Sequence, residues 1–319
     1  MQCALCAKLG GLVRAVPLAN EVRLLLLPAL LGSALGFLRR LWFISVGYGA
    51  AVSLVSAAIA TEALSTFGTL DVFQLLYVTT YVKYGIRLSC FQLWRELSSD
   101  GYINHLRETT SWGRSERSSW SDVLLWFSIA PLYAFLCLPL RFALRDRVLF
   151  AHSSLAWAGL AVMWLGLLLE SLADVQKQIF KSSGPSTARH FCSTGTFRLC
   201  RHPNYLGECL TWVGAWLAAS DAYPSCLAAV GAAAAPLGFM VPLMASQASS
   251  MDRKAARRYM RFSDAGQTLA SWDLYCEQVP SLLPFLGARG PVLPLDRGRE
   301  LGASPRPGGS DAPERGKDE

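Results

Sequence analysis

Charge is what this sequence has least of. Only 17% of its 319 residues are Asp, Glu, Lys or Arg, against about 25% in soluble domains. The shortage is uneven: residues 22–93 and 121–171 are poor in charge, whereas 94–118 and 251–319 are rich in it. That distribution argues against an ordinary soluble globule and fits a helical membrane protein. A second C-x-x-C is missing as well. Cys3 and Cys6 form one such pair with no histidine beside it, so nine cysteines imply neither a zinc site nor a disulfide framework. No metal-ligand set and no internal repeat can be read. Met1 to Gly11 is followed by no clear cleavage site, and a cleaved secretory signal is not expected.

What is present is apolar. Seven stretches approach the roughly 20 residues that a span needs: 22–38, 41–60, 70–93, 121–143, 151–171, 204–220 and 223–246. The expected fold is all-α, a multi-span helical membrane protein with about seven transmembrane helices. Sixteen Lys and Arg fall in 39–40, 94–120, 172–203 and 247–262, which the positive-inside rule places in the cytoplasm. The formal net charge of +7 then calls for no nucleic acid, because anionic membrane lipids absorb it. The chain divides into an N-terminal segment (1–21), an integral membrane domain (22–286) and a cytoplasmic tail (287–319). The tail's glycine, proline and mixed charge predict disorder.

Polar residues stand out against this background. In "LLLESLADVQKQIFKSSGPS", Glu170, Asp174, Lys177 and Lys181 fall within about 60° of one another on a helix. They form a stripe of two acids followed by two bases. In "FRLCRHPNYLGECLTW", Pro203 suits a first helical turn. That puts Arg198, Arg201 and His202 beside a helix N-terminus able to hold an anion. Asn204, Glu208 and Thr211 then share one face, with Trp212 a turn beyond Glu208. A carboxylate within a span is a functional-site candidate by default. The third span carries Tyr77, Tyr81, Tyr84, Lys83, Arg87 and Arg95. Tyr77 and Tyr81 read as interfacial belt residues, while a tyrosine beside a charged group can donate a proton. Met251 to Arg261 is basic, and Tyr259 and Tyr275 are interleaved with this last section.

"GTFRLCRHPNYLGECLTWVG", "ADVQKQIFK", "YGIRLSCFQLWRE" and "MASQASSMDRK…YCEQVPSLLPFL" together resemble the steroid 5-alpha-reductase C-terminal domain family, over about residues 80–286. The resemblance implies a membrane reductase of the endoplasmic reticulum that uses NADPH to saturate a C=C bond conjugated to a carbonyl. Its substrate would be lipid-like or steroid-like. By the same resemblance Asn204, Tyr205 and Glu208 face the cofactor, with Glu170 and Asp174 on its other polar groups. Lys181, Arg198, Arg201 and His202 serve its phosphates, Lys177 is a further cofactor-binding residue, and Tyr259 and Tyr275 take weaker cofactor-side positions. Tyr84, three residues before Arg87, matches the proton-donating tyrosine, with Glu208 as a further catalytic group and Arg87 and Trp212 bordering the substrate. The family supports that tyrosine with a glutamate on an earlier span; here Glu62 is the acid near the end of the second span. A methyltransferase of the isoprenylcysteine carboxyl type, using S-adenosylmethionine, shares the R-H-P-x-Y element and is the alternative. The D-x-Q-K-x-x-F and N-Y-x-G-E elements favour the reductase.

Overall fold

The computed structural model describes residues 18–97, 119–145, 152–182, 190–260 and 265–283. Cys3, Cys6 and the tail 287–319 lie outside these. The described chain is helical, with no strand among the described residues. Its helices are α1 (Leu18–Ser33), α2 (Val46–Phe67), α3 (Val72–Leu97), α4 (Ser119–Leu136), α5 (Leu138–Arg145), α6 (Ser154–Ser182), α7 (Pro203–Ala218), α8 (Cys226–Ala233), α9 (Val241–Tyr259) and α10 (Ala265–Gln278). A π-turn over Ala234–Met240, containing Pro236, joins α8 to α9. Where described, each of the seven apolar stretches is mostly helical. Among the described residues, four helices are long and apolar enough to cross a bilayer, or five if the bent pair α4–α5 counts as one span. Two stretches fall short for different reasons. Lys83, Arg87 and Arg95 make α3 too polar, and α7 has only 16 residues, about 24 Å at 1.5 Å per residue.

Ion pairs mark two ends of the bundle. At one end lie Arg39–Glu96 (3.4 Å), Arg40–Asp122 (3.1 Å) and Arg201–Asp252 (2.8 Å). At the other, Arg141 joins Glu21 (2.7 Å) and Glu62 (2.8 Å), and His152 meets Asp71 (3.1 Å). The Ser153 N–H there donates to Asp221 (2.7 Å). Successive helices therefore run between the same two ends, and the described parts of the four basic segments read from sequence adjoin the first end. Helix α6, with 29 residues, is about 44 Å long and exceeds the roughly 30 Å apolar core of a bilayer. Its Asp174–Lys181 portion accordingly reaches that end.

Small residues let the helices touch backbone to backbone, as membrane helices do where water gives no drive to associate. A Cβ at Gly207 of α7 would lie 2.5 Å from the Glu170 nitrogen and 2.7 Å from the Gly166 oxygen of α6. Gly207→Ala must push α6 and α7 apart. It is expected to lower stability by about 1–3 kcal/mol, measurable as a reduced unfolding temperature in detergent.

One expectation from sequence is overturned in this core. Tyr77 and Tyr81 are not belt residues: both are fully buried. Their hydroxyls donate to the carbonyls of Ala215 and Leu136 respectively, so α3 uses them to pack against α7 and α4.

Candidate functional site

Helices α2 and α3 approach closely where Gly49 faces Gly85, because a Cβ on Gly49 would sit 2.5 Å from the Gly85 oxygen. That contact sets Tyr48 and Tyr84 beside each other, hydroxyl to hydroxyl at 3.0 Å. Both hydroxyls also reach Glu208 Oε1 of α7, each at 3.1 Å. Tyr84 is fully enclosed, and Tyr48 and Glu208 are buried. The Trp212 ring packs edge-on against Tyr84 at 5.3 Å. Three oxygens from three helices thus form a closed triangle inside the bundle.

The Gly166–Gly207 contact brings Glu170 alongside this triangle. Arg87 of α3 holds Glu170 Oε1 through Nη1 (2.6 Å) and Asp174 Oδ2 through Nη2 (2.6 Å). A guanidinium bound to two carboxylates at once has its fork fully committed, so Arg87 fixes the stripe on α6 rather than facing outwards. Glu170 Oε2 and Asn204 Oδ1 remain buried without a hydrogen-bond partner. Buried polar atoms are rarely left so, and each calls for an explanation. Towards the end of the stripe, Lys181 has Lys177, Arg95 and Arg258 as charged neighbours. Four cations from α3, α6 and α9 gather there.

Arg201 and His202 are committed to other partners. Arg201 grips Asp252 of α9 through Nε (3.2 Å) and Nη2 (2.8 Å), and its Nη1 donates to the carbonyls of Cys276 (3.0 Å) and Val279 (2.6 Å). His202 Nε2 lies 2.8 Å from Asp252, and Ser281 Oγ donates to the same carboxylate at 2.7 Å. Burial pushes the His202 imidazole below its ordinary range even against the pull of Asp252. The neutral ring then donates Nε2–H. The expected anion-holding pair is in this structure a buried clamp that ties α7 to α9 and to residues 276–281. Tyr205 stacks on His202 with ring centroids 5.4 Å apart.

Tyr259 and Tyr275 sit in a separate aromatic cluster with Phe191 and Trp272. Burial raises the phenol of Tyr275, whose hydroxyl donates to the Phe197 carbonyl at 2.7 Å. Arg198 is exposed and borders a recess of about 350 Å3 beside Phe191, Ser193, Tyr275 and Gln278. Glu62 lies at the far end on Arg141; the carboxylate partner of Tyr84 comes instead from a later helix.

Sequence reasoning missed two residues. Tyr48 carried a signal, being flanked by Gly47 and Gly49 in an otherwise apolar span. Asp252 carried a weaker one, as the single acid in the basic stretch 251–261.

These features define an all-α, membrane-type protein with a buried polar cluster among α2, α3, α6 and α7. Over residues 39–265 the chain matches the model of a family described as a protein of unknown function, DUF1295. The match covers well over half of the chain, which belongs to this family, itself related to steroid 5-alpha-reductase-like proteins. No curated protein and no solved structure matches it.

Proposed function

We propose that the protein is a membrane-embedded, NADPH-dependent oxidoreductase that reduces an activated C=C bond of a lipid or steroid-like enone. Its proposed location, the endoplasmic reticulum, rests on the resemblance alone. The observation that carries the reading is the Tyr48–Tyr84–Glu208 triangle. Three oxygens share three contacts. With Glu208 ionised, two hydroxyl hydrogens serve only two of them. With a proton on Glu208 Oε1, every edge has one. The cluster can therefore hold a proton at Glu208 Oε1 and deliver one through Tyr84 Oη to an enone's oxygen or carbon.

The residues beside the triangle fit the cofactor. Glu170 Oε2 and Asn204 Oδ1, both buried acceptors without a partner, suit the carboxamide N–H and ribose hydroxyl groups of a nucleotide. The cations Arg95, Lys177 and Arg258, charged neighbours of Lys181, suit its phosphates together with Lys181. Bound there, NADPH would supply the hydride. The chain's part is to orient the carbonyl, exclude water and hold the proton. Transfer of a methyl group from S-adenosylmethionine requires neither a buried proton donor nor four gathered cations.

The test is ligand-dependent stability of the purified chain in detergent. NADPH at 100 times its dissociation constant should add about 2.7 kcal/mol, seen as a clear rise in unfolding temperature. NADH should give less and S-adenosylmethionine none. Stabilisation by S-adenosylmethionine and not by NADPH would refute the proposal.

A further inference from the structure

The exposed face of α3 is an apolar stripe of Val72, Leu76, Ile86, Trp94 and Leu97. Lys83 interrupts it and is the one charged residue exposed on that helix. Its ammonium lies 5.1 Å from the centre of the Trp164 ring of α6, and it has no acidic partner among the described residues. Around Trp164, the outward face of α6 is also apolar, with Leu165, Leu168 and Leu172 exposed.

Depth makes this costly and informative. The Asp71–His152 contact at 3.1 Å sets the starts of α3 and α6 at one level. Lys83 lies twelve residues beyond Asp71, and Trp164 twelve beyond His152. At 1.5 Å per residue both stand about 18 Å in, near the middle of a roughly 30 Å apolar layer. A lysine at that depth, turned towards an aromatic ring and not extended to an interface, marks a functional position.

We propose that Lys83 and Trp164 form a lateral binding site for a single-chain lipid anion, an amphiphile bearing one carboxylate, entering between α3 and α6. The position selects among occupants. A bilayer phospholipid keeps its headgroup at the interface and cannot present its charge at mid-depth. A second copy of this chain offers no suitable carboxylate, because Glu208, the described acid nearest this depth, is buried, as is Glu170 further along α6. A free lipid acid slides between helices and brings its carboxylate to the ammonium. Lys83 directly precedes Tyr84, and Arg87, one turn on, already joins α3 to α6. The site therefore lies one residue along α3 from the proton-holding triangle. That the anion belongs to the reducible substrate rests on the reductase reading; that it binds at Lys83 does not.

The experiment uses the full chain in neutral detergent without nucleotide. The probe is 5-doxylstearate, whose spin label quenches tryptophan close to the carboxylate, compared with its methyl ester. The acid should quench at a concentration at least tenfold lower than the ester. Trp164→Phe should remove the part of the quench that the acid gives beyond the ester. Lys83→Met should abolish the preference for the acid, and Lys83→Arg should keep it. Removing a mid-depth charge should not harm folding, so Lys83→Met remains informative. Equal potency of acid and ester, or a preference that survives Lys83→Met, would overturn the site. So would a phosphatidic acid with the same doxyl chain quenching as well as the free acid, or dimerisation covering this face with no acid preference. An intact preference alongside absent NADPH stabilisation would sink the reductase reading and leave the lipid site standing.

Discussion

Replacing Arg201 by alanine should cost the folded protein about 3–5 kcal/mol, the penalty for leaving a buried charge without its partner. The size follows from how completely Asp252 depends on this residue. Its two oxygens take hydrogen bonds from Arg201 Nε and Nη2, with His202 and Ser281 completing the set. Side-chain exposure is 4% for Arg201 and 11% for Asp252, so little water can replace what is lost. The Cys276 and Val279 carbonyls would lose their donor as well. The expected result is a large drop in the unfolding temperature. Replacing Asp252 in addition should cost less than the sum of the single changes, because the second substitution removes the stranded carboxylate. If Arg201→Ala instead unfolded like the parent and lost only nucleotide stabilisation, Arg201 would be a phosphate ligand, as the R-H-P-N-Y resemblance implies.

The contrast between these two roles of Arg201 shows what a sequence of this kind makes legible. Positions within one helix follow from the 3.6-residue period. The stripe from Glu170 to Lys181 and the face of Asn204, Glu208 and Thr211 could be drawn in advance, and the apolar runs located seven helices. Partners across helices could not be drawn, because they depend on the register between distant segments. Tyr48 and Glu208 are 160 residues apart and Arg201 and Asp252 are 51 apart. Each pair is brought together by close helix contacts and chain reversals that composition does not encode. The same gap explains Tyr77 and Tyr81. A tyrosine in an apolar helix looks alike in sequence whether its hydroxyl meets an interface or a carbonyl of a neighbouring helix. It also separates the carboxylate beside Tyr84, which is on α7, from the earlier span on which the resemblance places it.

Removing the Tyr84 hydroxyl is the change with the largest expected effect on turnover. Tyr84→Phe keeps the ring, its contact with Trp212 at 5.3 Å and the fill of a fully buried site, so folding should change little. It opens the oxygen triangle at two of its three edges and leaves only Tyr48–Glu208. General acid catalysis by a positioned side chain contributes about 10²–10⁴-fold. On the reductase reading, kcat for an enone substrate should fall by at least about 100-fold, with stabilisation by NADPH unchanged. Tyr48→Phe leaves the Tyr84–Glu208 edge intact and should cost less. Glu208→Gln keeps the shape but replaces the acid with an amide that cannot exchange a proton, and should approach the Tyr84→Phe loss. Turnover within threefold of the parent in both tyrosine variants would show that the proton comes from elsewhere. A loss of NADPH stabilisation in Tyr84→Phe, with kcat preserved at saturation, would place that hydroxyl on the cofactor and not on the reacting carbonyl. The order expected from the geometry is Tyr84 first, Glu208 beside it and Tyr48 third, because only Tyr84 sits on the helix that also presents Arg87 to Glu170.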